Sequence, residues 1–183
     1  LAAEGCSVGL SLDGRRELHD AHRVTRDGRP TCERALRGYR LLREHGVPCE
    51  ILCVVSARNV TDPARVYGTF KELGASHVTF LPLVERRPDR EGLGRGGAHR
   101  EGPSQEGAVS DRTVPPEAFG EFLCAIFDEW RDRDVGRIKV QIFEEAARPA
   151  FGQDHTLCIF KETCGRVPVV EHDGDFYSCD HFV

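Results

Sequence analysis

The residues best suited to chemistry lie in the closing segment. There Cys158, Cys164 and Cys179 stand in a polar, turn-rich context, and Asp180-His181 follows the last thiol. The first two cysteines form Cys-x5-Cys, and Cys164 to Cys179 forms Cys-x9-Gly-x4-Cys around Gly174. Three thiolates gathered by a turn make most of a tetrahedral metal site, one ligand short. Zinc sites favour tight Cys-x2-Cys knuckles, which this spacing fits poorly. An iron–sulfur cluster spans its own thiolates and accepts wider spacing. Three unconnected thiols are the alternative. Asp180 would be an ordinary surface acid elsewhere; beside a metal thiolate it becomes a candidate base.

The elements that must position these groups follow a regular rhythm. Cys6 to Leu12 alternates and meets Asp13-Gly14, the pattern of a strand ending in a turn. Thr31 is placed to cap a helix running to about His45, with Ala35, Leu36, Tyr39 and Leu42 on one face and Gly46 as the stop. Cys49 to Ser56 is nearly continuously apolar, which predicts a strand covered on both faces. Asp62-Pro63 opens a second helix that ends at Gly74, and His77 to Val84 is a third strand. Pro115-Pro116-Glu117 opens a third helix through Trp130, followed by a short strand over Arg137 to Phe143 and a short helix over Glu144 to Phe151. Val167 to Val170 and Asp175 to Tyr177 read as hairpin arms turning at His172-Asp173-Gly174, which would return Cys179 to Cys164.

Alternating strands and helices argue for a parallel α/β sheet, open or closed into a barrel. Ligands of such sheets bind at the carboxyl ends of the strands, where Asp13, Ser56 and Glu85 fall. Asp13 serves equally well as a turn residue. Glu85 to Thr113 breaks the rhythm, rich in Gly, Arg, Glu and Pro, and reads as a mobile, solvated insertion.

The composition bounds the rest. The 183 residues are 39% hydrophobic and 30% charged, with a formal net charge of −5, as in a soluble globular protein. Mild acidity gives no reason to expect nucleic acid, and no apolar run approaches the ~20 residues that cross a bilayer. Nothing resembles an export signal, so the setting is cytoplasmic and the eight cysteines need not be disulfides. Cys6, Cys32, Cys49, Cys53 and Cys124 are expected to be buried thiols. The chain contains no Met, which marks it as a piece of a longer protein, cut at both ends.

Ser11-Leu12-Asp13-Gly14, with His19-Asp20 and Arg23, resembles the segment after the fourth barrel strand of radical S-adenosylmethionine enzymes with a SPASM extension. The strand Ile51 to Val55, Asp128-Glu129-Trp130 and the tail from Thr163 to Val183 are similar to the anaerobic sulfatase-maturating enzymes. The resemblance runs from about Val8 to Val183 apart from the insertion. It implies the C-terminal half of a partial (β/α)6 barrel over residues 1–152, interrupted at 85–113, and the start of a SPASM auxiliary-cluster domain over 153–183.

It also implies an oxidation of Cys or Ser in an unfolded or nascent sulfatase to Cα-formylglycine. The cofactors would be S-adenosylmethionine and [4Fe–4S] clusters, with a flavodoxin or ferredoxin as electron donor. By position, Cys158, Cys164 and Cys179 match three ligands of the first auxiliary cluster, and Asp180 matches the base. Ser11 and Arg23 match contacts to the polar end of S-adenosylmethionine. Val84 matches an apolar contact to its adenosyl part, where the family has leucine. No Cys-x3-Cys-x2-Cys occurs, so the radical-generating cluster is expected before Leu1 and the remaining auxiliary ligands after Val183; alone, the chain should be inactive. A SPASM-type maturase with another target is the nearest alternative, and a non-catalytic zinc module the more distant one.

Overall fold

The computed structural model describes residues 1–86, 109–163 and 168–179. The chain forms two compact units, Leu1–Gln141 and Ile142–Val183. The first is built on four parallel strands in sequential order: β1 (Val8–Ser11), β2 (Cys49–Val55), β3 (His77–Pro82) and β4 (Lys139–Val140). Between them run the single-turn helix α1 (Arg16–His19), α2 (Cys32–Glu44), α3 (Pro63–Glu72) and α4 (Pro116–Arg133). Sequential parallel order with helical crossovers is what the βα rhythm predicts.

In β2, Cys49, Ile51, Cys53 and Val55 are buried while Glu50, Leu52 and Val54 are half-buried. The expectation of a strand covered on both faces is met on one face and only partly on the other. Among the described residues the helices pack on one face, and the opposite face carries polar side chains: the Thr79 hydroxyl donates to Glu50 and lies 3.0 Å from the Gln141 side chain. On the helix-covered face Phe80 meets Phe70 of α3 at 6.2 Å and Phe122 of α4 edge-on at 5.3 Å. Each such side chain contributes about 2 kcal/mol of burial, enough to fix the strand order in place.

Helix starts were legible in part. The Asp62 carboxylate caps α3 by accepting the Arg65 N–H at 3.1 Å. Thr31 occupies the cap position of α2 but makes no side-chain cap. Asp20, eleven residues upstream, accepts the N–H groups of Thr31 at 2.9 Å and Cys32 at 2.8 Å. The alternation of Ile138, Val140 and Ile142 runs on past the end of the strand, and only the adjacent Phe143, with Glu145, brings in the burial of a helix. The strand stops at Val140 nonetheless, and α5 (Gln141–Ala147) begins earlier than the expected helix at Glu144.

In the second unit, Arg148–Phe151 and Cys158–Phe160 are 3-10 turns. β5 (Val169–Val170) pairs antiparallel with β6 (Phe176–Tyr177), the expected hairpin. Its turn is closed by Gly174 at φ +94°, whose N–H donates to Glu171 at 3.0 Å. The ends of the Glu85–Thr113 segment form a closed neck. Arg86 bridges Val109, Ser110 Oγ donates to Glu85 at 2.6 Å, and Thr113 Oγ1 accepts the Glu85 N–H at 3.0 Å. Residues 87–108 between them lie outside the described residues. No helix among the described residues is long and apolar enough to cross a membrane.

Candidate functional site

The carboxyl ends of β1 and β2 meet at Asp13, and Leu83, just after β3, lines the same pocket. Gly14 takes φ +105°, which turns the chain sharply after β1 and leaves Asp13 7% exposed. A buried carboxylate needs partners. Asp13 Oδ2 accepts from Arg23 Nε at 2.6 Å, and Oδ1 accepts from Arg23 Nη2 at 3.2 Å and from the Val54 N–H at 2.9 Å. The expected turn residue is thus one half of a forked ion pair linking three parts of the chain.

The loop that delivers Arg23 is fixed by a second network. Thr31 Oγ1 donates to the Arg23 carbonyl at 2.6 Å and lies 3.1 Å from His19 Nε2. Because the threonine proton is already committed, His19 Nε2–H must be the donor in that contact. His19 Nδ1 then accepts the Asp13 N–H at 3.4 Å. This pattern specifies a neutral imidazole. Burial is the main cause holding His19 below its ordinary pKa, with Arg23 adding to it against the opposing pull of Asp13 and Asp20.

Asn59 joins β1 to β2. It accepts the Ser56 N–H at 2.7 Å and donates to the carbonyls of Val54 at 2.9 Å and Asp13 at 3.3 Å. His19, Asp20 and Asn59 were not picked out as site residues. Their signal is weak in the sequence: each is a common polar residue, and partners such as Thr31 for His19, Cys32 for Asp20 and Asp13 for Asn59 lie 12, 12 and 46 positions away.

Two hollows open at this edge. Ser11, His19, His22, Arg23, Val24, Thr31, Arg34 and Ala35 line one. The other, of ≈ 220 Å³, is lined by Asp13, Leu18, His22, Arg23, Val54, Ser56, Arg58, Asn59, Leu83 and Arg112. Of the expected S-adenosylmethionine contacts, Ser11 and Arg23 share the first hollow. Val84 is 71% exposed and lines neither, its neighbour Leu83 lining the second. Arginine, hydroxyl and apolar walls are groups of the right kind for a zwitterionic adenosyl ligand.

The second unit holds the thiols. Cys158 and Cys179 are half-buried; Cys164 and Asp180 lie outside the described residues. The approach to Cys158 is held by Glu145, a residue the sequence did not flag. Its carboxylate accepts from the Thr156 hydroxyl, from the Thr156 N–H at 3.0 Å and from the Leu157 N–H at 3.4 Å, with His155 Nδ1 at 3.4 Å. Burial presses the Glu145 pKa upward, yet the bonds from Thr156, Leu157 and His155 win and lower it. Half-buried thiols suit an iron–sulfur ligand set in kind, and the described residues supply two of them. No three metal-binding side chains converge among the described residues. Of the other cysteines, Cys32, Cys49 and Cys53 are buried as expected, whereas Cys6 and Cys124 are exposed.

No protein-family profile matches the chain. It is 39% identical over 176 residues to a serine-type anaerobic sulfatase-maturating enzyme of Bacteroides thetaiotaomicron, covering 96% of this chain and 42% of that protein. Identity to the serine-type enzyme of Klebsiella aerogenes is 34% over 180 residues, 98% of this chain and 40% of the relative. The cysteine-type enzyme of Clostridium perfringens is 26% identical over 178 residues. The solved structure of native anSMEcpe with bound AdoMet superposes with a TM-score of 0.79 at 26% identity, covering 100% of this chain and 46% of that one. The form that also binds Kp18Cys peptide gives a TM-score of 0.79. The chain therefore spans less than half the length of the relatives it matches.

Proposed function

We propose that this chain, a relative of part of the anaerobic sulfatase-maturating enzymes, belongs to a radical S-adenosylmethionine enzyme that oxidises a sulfatase cysteine or serine to Cα-formylglycine. The observation that carries this reading is the Asp13–Arg23 fork, which holds a guanidinium beside Ser11 at the carboxyl edge of parallel strands. The fork engages Arg23 Nε and Nη2, so Nη1 is left to bind the carboxylate of S-adenosylmethionine. The Ser11 hydroxyl adds a polar contact, and Val84 an apolar one on the adenosyl side.

When bound, S-adenosylmethionine and its iron–sulfur partners supply the radical that removes a hydrogen from the substrate β-carbon and the acceptor for the electron then released. This chain's residues do the rest. Asp180 accepts the proton of the target thiol or hydroxyl. Cys158, Cys164 and Cys179 donate thiolates to the first auxiliary cluster, with Glu145 holding the approach to Cys158. In this reading residues 1–152 are barrel-derived, with 85–113 as an insertion, and 153–183 begin the SPASM domain. The substrate is an unfolded or nascent sulfatase chain in the cytoplasm, and the electron donor a flavodoxin or ferredoxin.

The test uses the intact protein, purified anaerobically and reconstituted with iron and sulfide. Supplied with S-adenosylmethionine, a reductant and peptides carrying a target Cys or Ser, it should yield an aldehyde that a hydrazine traps and mass spectrometry locates. Asp180→Asn should keep the iron content and lose most of that product. A colourless protein that takes up only zinc would overturn the proposal.

A further inference from the structure

The carboxyl edge of the sheet carries positive charge that the fold leaves unmatched. Three separate segments send basic side chains into the ≈ 220 Å³ pocket: His22 and Arg23 from the loop after α1, Arg58 from the loop after β2, and Arg112 from the neck. Asp13 is the one carboxylate in its wall, and it is already engaged by Arg23 and the Val54 N–H. Arg112 has a single 3.3 Å contact to Glu85, with both side chains substantially exposed, an arrangement worth little. The Arg58 guanidinium makes no side-chain hydrogen bond or ion pair among the described residues. The same convergence acts on His22. After burial, Arg112 and Arg58 are the largest causes holding its imidazole below the ordinary pKa, against Asp13 and Glu85, which act the other way.

We infer that His22, Arg58 and Arg112 form a subsite for a carboxylate of the substrate polypeptide, beside the S-adenosylmethionine contacts. The inference rests on the proposed function. Two features favour the polypeptide over S-adenosylmethionine as the source of that carboxylate. Ser11 lines the neighbouring hollow and not this one, with Arg23 and His22 forming the wall between them. The pocket also offers Leu18 and Leu83 as apolar walls, which suit the methylenes of an acidic side chain. Its floor is rigid because Asn59 is bound to both strand ends, so the two arginines gain an anion without reorganising the sheet.

The experiment compares kcat/KM of the intact, reconstituted protein for peptides with an acidic residue at successive positions flanking the target, against the same peptides with Asn or Gln there. One position should favour the acidic peptide roughly tenfold or more, the worth of a charge-assisted hydrogen bond. Arg58→Gln and Arg112→Gln should each shrink that preference through KM, and Arg58→Lys should retain part of it. S-adenosylmethionine affinity, measured without peptide, separates the two carboxylate sources. The inference falls if the peptides turn over with no acidic preference at any position. It falls also if Arg58→Gln weakens S-adenosylmethionine binding as much as peptide binding. If the wild type turns over no peptide, the proposed function fails; equal equilibrium binding of acidic and neutral peptides would then remove the subsite as well.

Discussion

Arg23 Nε lies 2.6 Å from Asp13 Oδ2, and this contact ties the loop after α1 to the ends of two strands. Asp13 is nearly buried while Arg23 keeps about a third of its side-chain exposure, so the pair is only partly screened. Replacing the carboxylate by an amide keeps an acceptor for the Val54 N–H but leaves the guanidinium without its charge partner. Asp13→Asn should lower stability by about 2 kcal/mol in urea unfolding. It should also weaken S-adenosylmethionine binding by the intact protein, measured by calorimetry. Arg23→Lys should lose affinity too, since an ammonium cannot span both carboxylate oxygens.

His19 is held neutral by burial, with a folded pKa below its ordinary value. The unfolded chain takes up a proton there first, so acid favours unfolding. The contribution is intact above about pH 6.5 and is lost as pH falls towards the lowered folded pKa. The urea midpoint should drop between pH 7.5 and 5.5, a range set by that unfolded value of about 6.5. His19→Gln should flatten the drop, leaving the slope of His22, whose pKa is also lowered, by burial first and then by Arg112 and Arg58. An unchanged slope in the variant would show that His19 titrates normally.

Glu145 gathers the Thr156 and Leu157 amides just ahead of Cys158. Its folded pKa is lowered, so this stabilisation is present above the unfolded carboxylate value of about 4.3 and fades as pH falls through the folded one. Glu145→Gln should imitate acid at neutral pH, costing about 1–2 kcal/mol locally. Hydrogen exchange at Thr156 and Leu157 should accelerate, and Cys158 should alkylate faster in the metal-free protein.

Cys158 and Cys179 reach the surface from a 3-10 turn and from just past the hairpin, respectively. In the intact protein, Cys179→Ala and Cys158→Ala should each lower bound iron and bleach the cluster absorbance after reconstitution. Cys124→Ala, on exposed α4 surface, should leave iron content unchanged. Full iron retention in Cys179→Ala would remove it as a ligand.

Much of the fold was legible because it is written in short-range periodicity. Alternation marked β1, the Asp62-Pro63 pair marked the start of α3, and His172-Asp173-Gly174 marked the hairpin turn. The misread elements depended on distant partners. Thr31 looked like a cap, but the capping atoms belong to Asp20, and β2 looked doubly covered although one of its faces is covered only in part. The candidate site divides in the same way. Ser11 and Arg23 stood out through their motif, whereas His19, Asn59, Glu145, Arg58 and Arg112 did not.

By itself the sequence determined the parallel α/β order and carried the resemblance to the sulfatase-maturating enzymes. These reside in local spacing and in the identity of neighbouring residues. Only the tertiary structure decided that Asp13 is a buried ion-pair partner, that His19 carries its proton on Nε2, and that two arginines meet His22 in one pocket. Each of those depends on charges and hydrogen bonds between residues far apart in the chain. Their strength is set by the distance and burial that folding creates.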